Sequence, residues 1–310
     1  MQTRIKNLMV AAFFCAALSI FTVSATAQLR SLTIVTEPNA SVWVDDVNYG
    51  KTDESGKLVL RTFPAGTHKI RVRADGFKEI TQNLLPAQKG EFKIALTKTT
   101  DEAELAFQQA EAMSAVDREK AVALYQKAVK LRPKYAEAFV GLARVYQALS
   151  EYDAALRAIQ NARRARLAYA EASAVEGRIY KESGNETKSV AAFKRAITEG
   201  KGVQPEAHAG LGLLYRERAE NFGINSEFES EKENYLLAAG ELRKAVEQLA
   251  GSPDAATIYQ LLGDSFERAK MFADAIKVYE EYIKNFPDAD DVTTFRSFIT
   301  QLQKRIKEEQ

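Results

Sequence analysis

The chain has 310 residues, 46% of them apolar and 27% charged, with a formal net charge of +1. That length suffices for two domains, and the charge balance lacks the basic excess by which nucleic-acid binders neutralise phosphates. Charge is unevenly placed: residues 28–100 hold 11 basic and 8 acidic side chains, whereas the stretch after them holds 30 basic and 34 acidic.

The first predicted element is a targeting segment. Arg4 and Lys6 precede an apolar run over 8–23, and Ala25-Thr26-Ala27 follows it. A positive start, an apolar stretch and a small-x-small triplet make signal-peptide anatomy, with cleavage expected before Gln28. The run has 16 residues, short of the roughly 20 that cross a bilayer. Residues 1–27 therefore read as a signal peptide, leaving no membrane span after cleavage; an uncleaved anchor is the alternative. The single cysteine, Cys15, lies inside the run, so the mature chain is expected to have no thiol or disulfide. Export without disulfides is compatible with a periplasmic or cell-surface bacterial protein.

Residues 28–98 read as β-structure. Leu32-Thr33-Ile34-Val35, Val42-Trp43-Val44, Leu58-Val59-Leu60, Ile70-Arg71-Val72-Arg73 and Phe92-Lys93-Ile94-Ala95-Leu96 are short and rich in β-formers. Turn signals such as Glu54-Ser55-Gly56, Asp75-Gly76 and Lys89-Gly90 separate them. About six short strands, each with one apolar face, predict a small antiparallel sandwich. Trp43 alternates with inward-pointing Val42 and Val44, which puts it on the opposite sheet face. There it either docks on the following domain or offers a platform to a sugar ring; the short junction over 97–100 favours docking. Asp101 and Glu104 are spaced as a capping pair opening the first helix.

From 101 onward the chain repeats every 34 residues. Ala121, Ala155 and Ser189 keep this step, as do Tyr125, Ile159 and Phe193, and Ala128, Ala162 and Ala196. Small and aromatic residues at fixed offsets mean one supersecondary unit copied along the chain. Five units are read over 101–288, at about 102–135, 136–169, 170–204, 205–255 and 256–289, the fourth carrying an insertion around 221–235. Each is expected to be two antiparallel helices, A and B. Ala143, Gly177, Gly212 and Gly263 let A approach B, and Pro133 and Pro287 end helix B. Over 290–310, Val292, Phe295, Phe298, Ile299, Leu302 and Ile306 share one face of a helix, as a polar-backed cap requires.

Two resemblances follow from these residues. The 34-residue pattern, clearest in Leu262-Gly263, Phe266, Ala275, Tyr279 and Pro287, resembles the tetratricopeptide repeat (TPR). Pro38-Asn39-Ala40-Ser41-Val42-Trp43-Val44-Asp45, Gly50-Lys51-Thr52, Ala65-Gly66-Thr67-His68-Lys69-Ile70 and Asp75-Gly76-Phe77 resemble a PEGA domain, a small β-sandwich of bacterial and archaeal surface proteins. The expected fold class is thus α+β with two domains: a PEGA-like antiparallel β-sandwich, then an α-solenoid of TPR helix pairs.

The TPR resemblance implies a concave groove lined by helix A. Its ninth and twelfth positions here are Arg144 and Gln147, Arg178 and Lys181, Leu213 and Arg216, then Asp264 and Glu267. Arg144, Arg178, Lys181 and Arg216, with Gln147 among them, are expected to form a basic strip for the carboxylates of an acidic protein or peptide partner, because guanidinium forks match carboxylate oxygens. Arg157, Arg163, Arg164 and Arg166 face outward from helix B as solubilising charge. The insertion, with Phe222, Ile224, Phe228 and Tyr235, is either a functional loop or a plain lengthening of two helices; Phe222 and Phe228, like Trp43, are candidate accessory contacts.

Nothing in the chain reads as catalytic. The only histidines, His68 and His208, lack a second ligand at metal-binding spacing, and there is neither a nucleophile elbow nor a phosphate loop. No cofactor or metal is expected. The sequence predicts a non-enzymatic protein–protein interaction scaffold of the bacterial envelope; the alternative is an envelope-attachment module whose PEGA-like domain holds cell-wall polysaccharide.

Overall fold

The computed structural model describes residues 30–63, 66–249 and 251–308. The expected signal segment and its cleavage site lie outside them.

Seven strands form two facing sheets. One is ordered β4 (Lys57–Phe63), β1 (Arg30–Val35), β7 (Gly90–Lys93), and the other β3 (Val47–Lys51), β2 (Ser41–Val44), β5 (His68–Arg73), β6 (Ile80–Leu84). Alternation decides what lies between them: Leu32, Ile34, Val42, Val44, Leu60, Ile70, Val72 and Leu84 are all buried. The sandwich departs from its expected form in two ways. Among the described residues it has seven strands against about six expected, and the two that no named run covered, β3 and β6, with Asn48, Gly50, Gln82 and Asn83, do not look like strands. Both are edge strands of the four-stranded sheet, where one ladder suffices and propensity matters less. It is also not wholly antiparallel: β7 pairs parallel to β1, Leu32 opposite Gly90 and Val35 opposite Lys93. The chain reaches β7 by crossing from β6 in the other sheet.

Ten helices then fold as five hairpins: α1 (Glu102–Met113) with α2 (Arg118–Leu131), α3 (Ala136–Ala148) with α4 (Tyr152–Ala165), α5 (Ala170–Glu182) with α6 (Glu186–Glu199), α7 (Pro205–Ile224) with α8 (Phe228–Leu249), and α9 (Ala255–Arg268) with α10 (Phe272–Asn285). The A helices of units two to five stop alike. Ser150, Gly184, Ser226 and Lys270 adopt left-handed φ near +60° to +77°. The next amide in each case donates back to an aromatic residue's carbonyl: Glu151 to Tyr146, Asn185 to Tyr180, Glu227 to Phe222 and Met271 to Phe266, at 2.8–2.9 Å. This six-to-one bond closes the helix end. It also explains the insertion. Phe222 stands where Tyr146, Tyr180 and Phe266 stand, so the extra residues lengthen both helices and make no loop; α7 has 20 residues against 13 in α5, and α8 has 22 against 14 in α6.

Within a unit the helices close on a missing side chain. A methyl group built on Gly177 would lie 2.5 Å from the Phe193 ring, and one on Gly263 would overlap Tyr279. Gly141 and Gly210 do the same between units, against Tyr125 and Phe193 of the preceding helix B. The last face is covered by α11 (Val292–Glu308), whose Phe295 stacks at 5.1 Å on Tyr279 and 4.1 Å on Tyr282.

The sandwich is fixed to the first unit. Arg73 is the joint: it donates to Glu79 in its own domain through Nε and Nη2 and to Glu111 of α1 through Nη1 at 2.5 Å. Its guanidinium lies 4.5 Å over Phe107 of α1 and 5.2 Å from the Trp43 ring. Gln108 adds two bonds, accepting from Gly76 N at 2.9 Å and donating to Phe77 O at 2.8 Å. Residues 97–99 are tied back to the same turn by Lys78 N to Thr97 O and Thr99 N to Gly76 O. Asp101 caps α1 by accepting from Ala103 N and Glu104 N. Glu104 does not return the bond as a capping box would; it turns inward to accept from the Tyr135 hydroxyl at 2.8 Å.

Gly263→Leu is expected to force α9 from α10 and destabilise the fifth unit by about 1–3 kcal/mol, the usual cost of overpacking. The helices pack against those of neighbouring units, so amide hydrogen exchange should accelerate in α9–α11 and stay slow in α1 and α2. Equal acceleration in the first unit would contradict this.

Candidate functional site

The residues of the expected strip stand on the A helices of successive units: Arg144 and Gln147 on α3, Arg178 and Lys181 on α5, Arg216 on α7. The four cations among them are not free. Arg144 of the second unit donates to both oxygens of Glu206, at 2.8 and 3.4 Å, and to Glu171 at 3.4 Å. Arg178 of the third unit reaches the same Glu206 at 3.4 Å and donates from Nε to Gln147 at 3.0 Å. Gln147 in turn donates to Glu182 at 2.6 Å. Lys181 pairs with Glu217. Arg216 pairs with Asp264 at 2.5 Å and donates to Ser265 Oγ and Leu261 O.

The pairing has a direction. Each cation reaches an acid carried one unit later, or two units later for Arg144 and Glu206. Expected as a positive strip, the groove is in fact a ladder of alternating charge, because the acids that close it enter from positions the strip did not include. Two of them were visible in the sequence: Glu171 and Glu206, like Glu137 before them, stand at the second position of helix A, about one period apart. Each meets an arginine about two turns along an earlier A helix, Glu171 at Arg144 and Glu206 at both Arg144 and Arg178.

Glu206 is the centre of the ladder. Burial pushes its carboxyl up, but Arg144 and Arg178 outweigh this and hold it below the ordinary carboxylate range. Burial pulls the Arg144 guanidinium down, but Glu206 and Glu171 overcome it and the net shift is upward. Arg178 goes the other way. Burial and the Arg144 charge lower it more than Glu206 and Glu182 raise it. Two arginines share one carboxylate here, and Arg178 is the less compensated.

The remaining candidates lie elsewhere. Trp43 is half-buried on the outer sheet face, with the Arg71 guanidinium 4.3 Å over its ring. Arg73, 5.2 Å from the ring, links it to Glu111 of α1, so the ring is backed by two guanidinium groups. Phe222 is half-buried at the end of α7, and Phe228 is exposed at the start of α8. Tyr235 is buried with Ala219 and Ala269, which seats the lengthened hairpin on the turn of the fifth unit. His68 bonds Asp45 at 2.5 Å, and His208 bonds Glu241 at 2.7 Å. Both are structural contacts. Among the described residues no group of three or more His, Cys, Asp or Glu side chains is placed to hold a metal ion, and no helix is long and apolar enough to cross a membrane.

Acid is expected to open the ladder. A carboxylate held below its unfolded pKa of about 4.3 stabilises the fold fully above that value and loses the contribution as pH falls through its lower folded value. Glu206→Gln should cost about 1–3 kcal/mol at neutral pH, since bonds to charged groups are the stronger ones. It should also flatten the decline in urea stability between about pH 5 and 3. Parallel declines for both proteins would show that Glu206 does not govern the acid response.

Comparison with known proteins agrees with this architecture. A PEGA-domain model matches residues 29–100, a TPR-repeat model matches 117–150, and a tetratricopeptide-repeat model matches 140–203 and 230–290. The gap between the last two segments falls on the lengthened α7. No curated protein matches the chain. Similar solved structures include the MamA protein, at 18% identity over 61% of this chain and 94% of that one, with a TM-score of 0.41. Another is TTC0263, a thermophilic TPR protein in Thermus thermophilus, at 16% identity over 64% of this chain and 99% of that one, with a TM-score of 0.46. YrrB, described as a TPR protein with an unusual peptide-binding site, matches at 19% identity over 64% of this chain and 94% of that one, with a TM-score of 0.38. The chain is a PEGA domain followed by an array of tetratricopeptide repeats.

Proposed function

We propose that this protein is a non-enzymatic adaptor of the bacterial cell envelope that holds an acidic protein or peptide segment along its concave face. Tetratricopeptide repeats support a protein-interaction scaffold. The observation that carries the finer reading is Arg178. It is about one-third exposed, as is Arg144, and it shares the carboxylate of Glu206 with Arg144, which has Glu171 besides. A partner carboxylate arriving beside Gln147 and Arg178 supplies the missing counter-charge without first breaking the Arg144–Glu206 fork. Lys181 and Arg216 continue the same face on either side of Glu217 and Asp264. Because the ladder is nearly neutral overall, selection comes from register, acid against cation, more than from long-range attraction.

Export is part of this reading. PEGA domains are typical of exported proteins, and the basic start and apolar run before Gln28 fit a cleaved signal. The polysaccharide alternative finds less support, because guanidinium groups cover the Trp43 ring that a sugar would need.

Three experiments test the proposal. Mass spectrometry of the protein from the envelope fraction should give a mature N-terminus at or beside Gln28; an intact segment 1–27 would favour a membrane anchor. The full chain used as bait in an envelope extract should recover a partner with an acidic segment, less efficiently as salt rises. Calorimetry with that segment should show Arg178→Gln binding about 5-fold weaker, near 1 kcal/mol for a part-exposed pair, and Lys277→Ala unchanged. Equal affinity for Arg178→Gln and wild type would sink the groove assignment.

A further inference from the structure

The lengthened fourth hairpin ends in an apolar tip. Ile224 is 80% and Phe228 68% exposed, on either side of the turn at 225–227. Around them Glu220, Glu227, Glu229 and Glu233 are exposed, and none has an ion-pair partner among the described residues. Lys232 is the one cation beside them. The hairpin stands out because its helices exceed those of the third unit by 7 and 8 residues, about 11 Å at 1.5 Å per residue. An apolar tip in an acidic collar is poorly suited to an anionic lipid surface and well suited to an apolar, basic protein surface.

The opposite edge of the array has that character. Three successive B-to-A turns each expose one aliphatic side chain: Leu131 at 47%, Leu167 at 85% and Val203 at 54%. Beside them stand Lys134, Arg164 and Lys201, exposed and without a carboxylate partner among the described residues. The acids nearby are already taken, Glu137 by Arg166 and Glu199 by Arg163. A shallow cavity of about 370 Å³ opens at the middle turn, between Arg163, Arg164, Leu167 and Glu176. The corresponding turn of the fourth unit, 249–254, carries no basic residue, so the basic edge belongs to the first three units.

The geometry points to self-association: the acidic apolar tip of one copy docks on the basic apolar edge of a second, with Phe228 entering beside Leu167 and the glutamates facing Arg164, Lys134 and Lys201. A single chain cannot make this contact with itself. The tip lies at an A-to-B turn and the edge at B-to-A turns, which antiparallel hairpins place a helix length apart, about 20 Å or more. Two copies that make the contact reciprocally close as a two-fold dimer; two that make it once leave a tip and an edge unused, and assembly continues until a ring closes or a filament grows. This inference stands apart from the groove and survives if the groove assignment fails.

Sedimentation velocity of the full chain from low to high micromolar concentration tests it. Wild type should associate with rising concentration, and salt should weaken the association, since exposed charges are screened within about 8 Å at physiological ionic strength. Phe228→Glu should remove the tip, and Arg164→Glu with Leu167→Glu should remove the edge; each protein alone should be monomeric, with an unchanged helical circular-dichroism spectrum. Mixed together they should form a dimer and nothing larger, because one retains an intact edge and the other an intact tip. A wild type that stays monomeric, association that neither variant reduces, or a mixture that remains monomeric would each overturn the proposal.

Discussion

The whole array depends on two helices meeting where one has no side chain and the other has a ring. Gly177 under Phe193 and Gly263 under Tyr279 set the distance between helices A and B, and Gly141 under Tyr125 sets it between units. Each ring then fills a space that no larger facing residue would leave. Buried alanines, among them Ala121, Ala155, Ala238 and Ala275, do the same from helix B. Because a hairpin has two such faces, it is stable only between neighbours. The array therefore needs a different solution at each end: the sandwich and Arg73 at one, and the aromatic face of α11 at the other.

Packing accounts for the stacking of units but leaves the concave side wet, and there the chain uses charge. The ladder running from Arg144 and Glu206 through Arg178 and Lys181 to Arg216 and Asp264 ties together units that already pack on their neighbours. Its Arg144–Glu206 link skips a unit, joining the second to the fourth. Partly exposed pairs contribute little one by one, but a carboxylate forked by one arginine and touched by another restricts how far the A helices can splay. The same side chains that are proposed to face a partner thus also tie together the A helices that carry them.

How much of this was legible follows from which residues repeat. The units, their helix order and the capping face of α11 were readable because packing demands the same side chain at the same offset each time. The strands at the centres of the sheets were readable from alternation. Strands β3 and β6 were not, since an edge strand can be polar and keep its place through one neighbour. The parallel β1–β7 pair has no local signature, because direction comes from the crossover. The lengthened fourth hairpin read ambiguously until the six-to-one bond at Phe222 showed that two whole turns had been added to each helix. The groove was half legible: its cations and Asp264 stand at lining positions, but Glu171 and Glu206 come from first-turn positions of later units. Only the superhelix brings those together.

The joint at Arg73 gives the molecule a handle. Its guanidinium is gripped from both domains at once, and Gln108 and the segment 97–99 hold the same turn. A domain attached this way cannot swivel on a tether; it carries the array with it. Whatever grips the sandwich, and at whatever angle, thereby decides which way the groove points and how far it stands from the point of attachment. In the adaptor role proposed above, the protein would be a bracket whose orientation is set when the domain is seated, before a partner arrives.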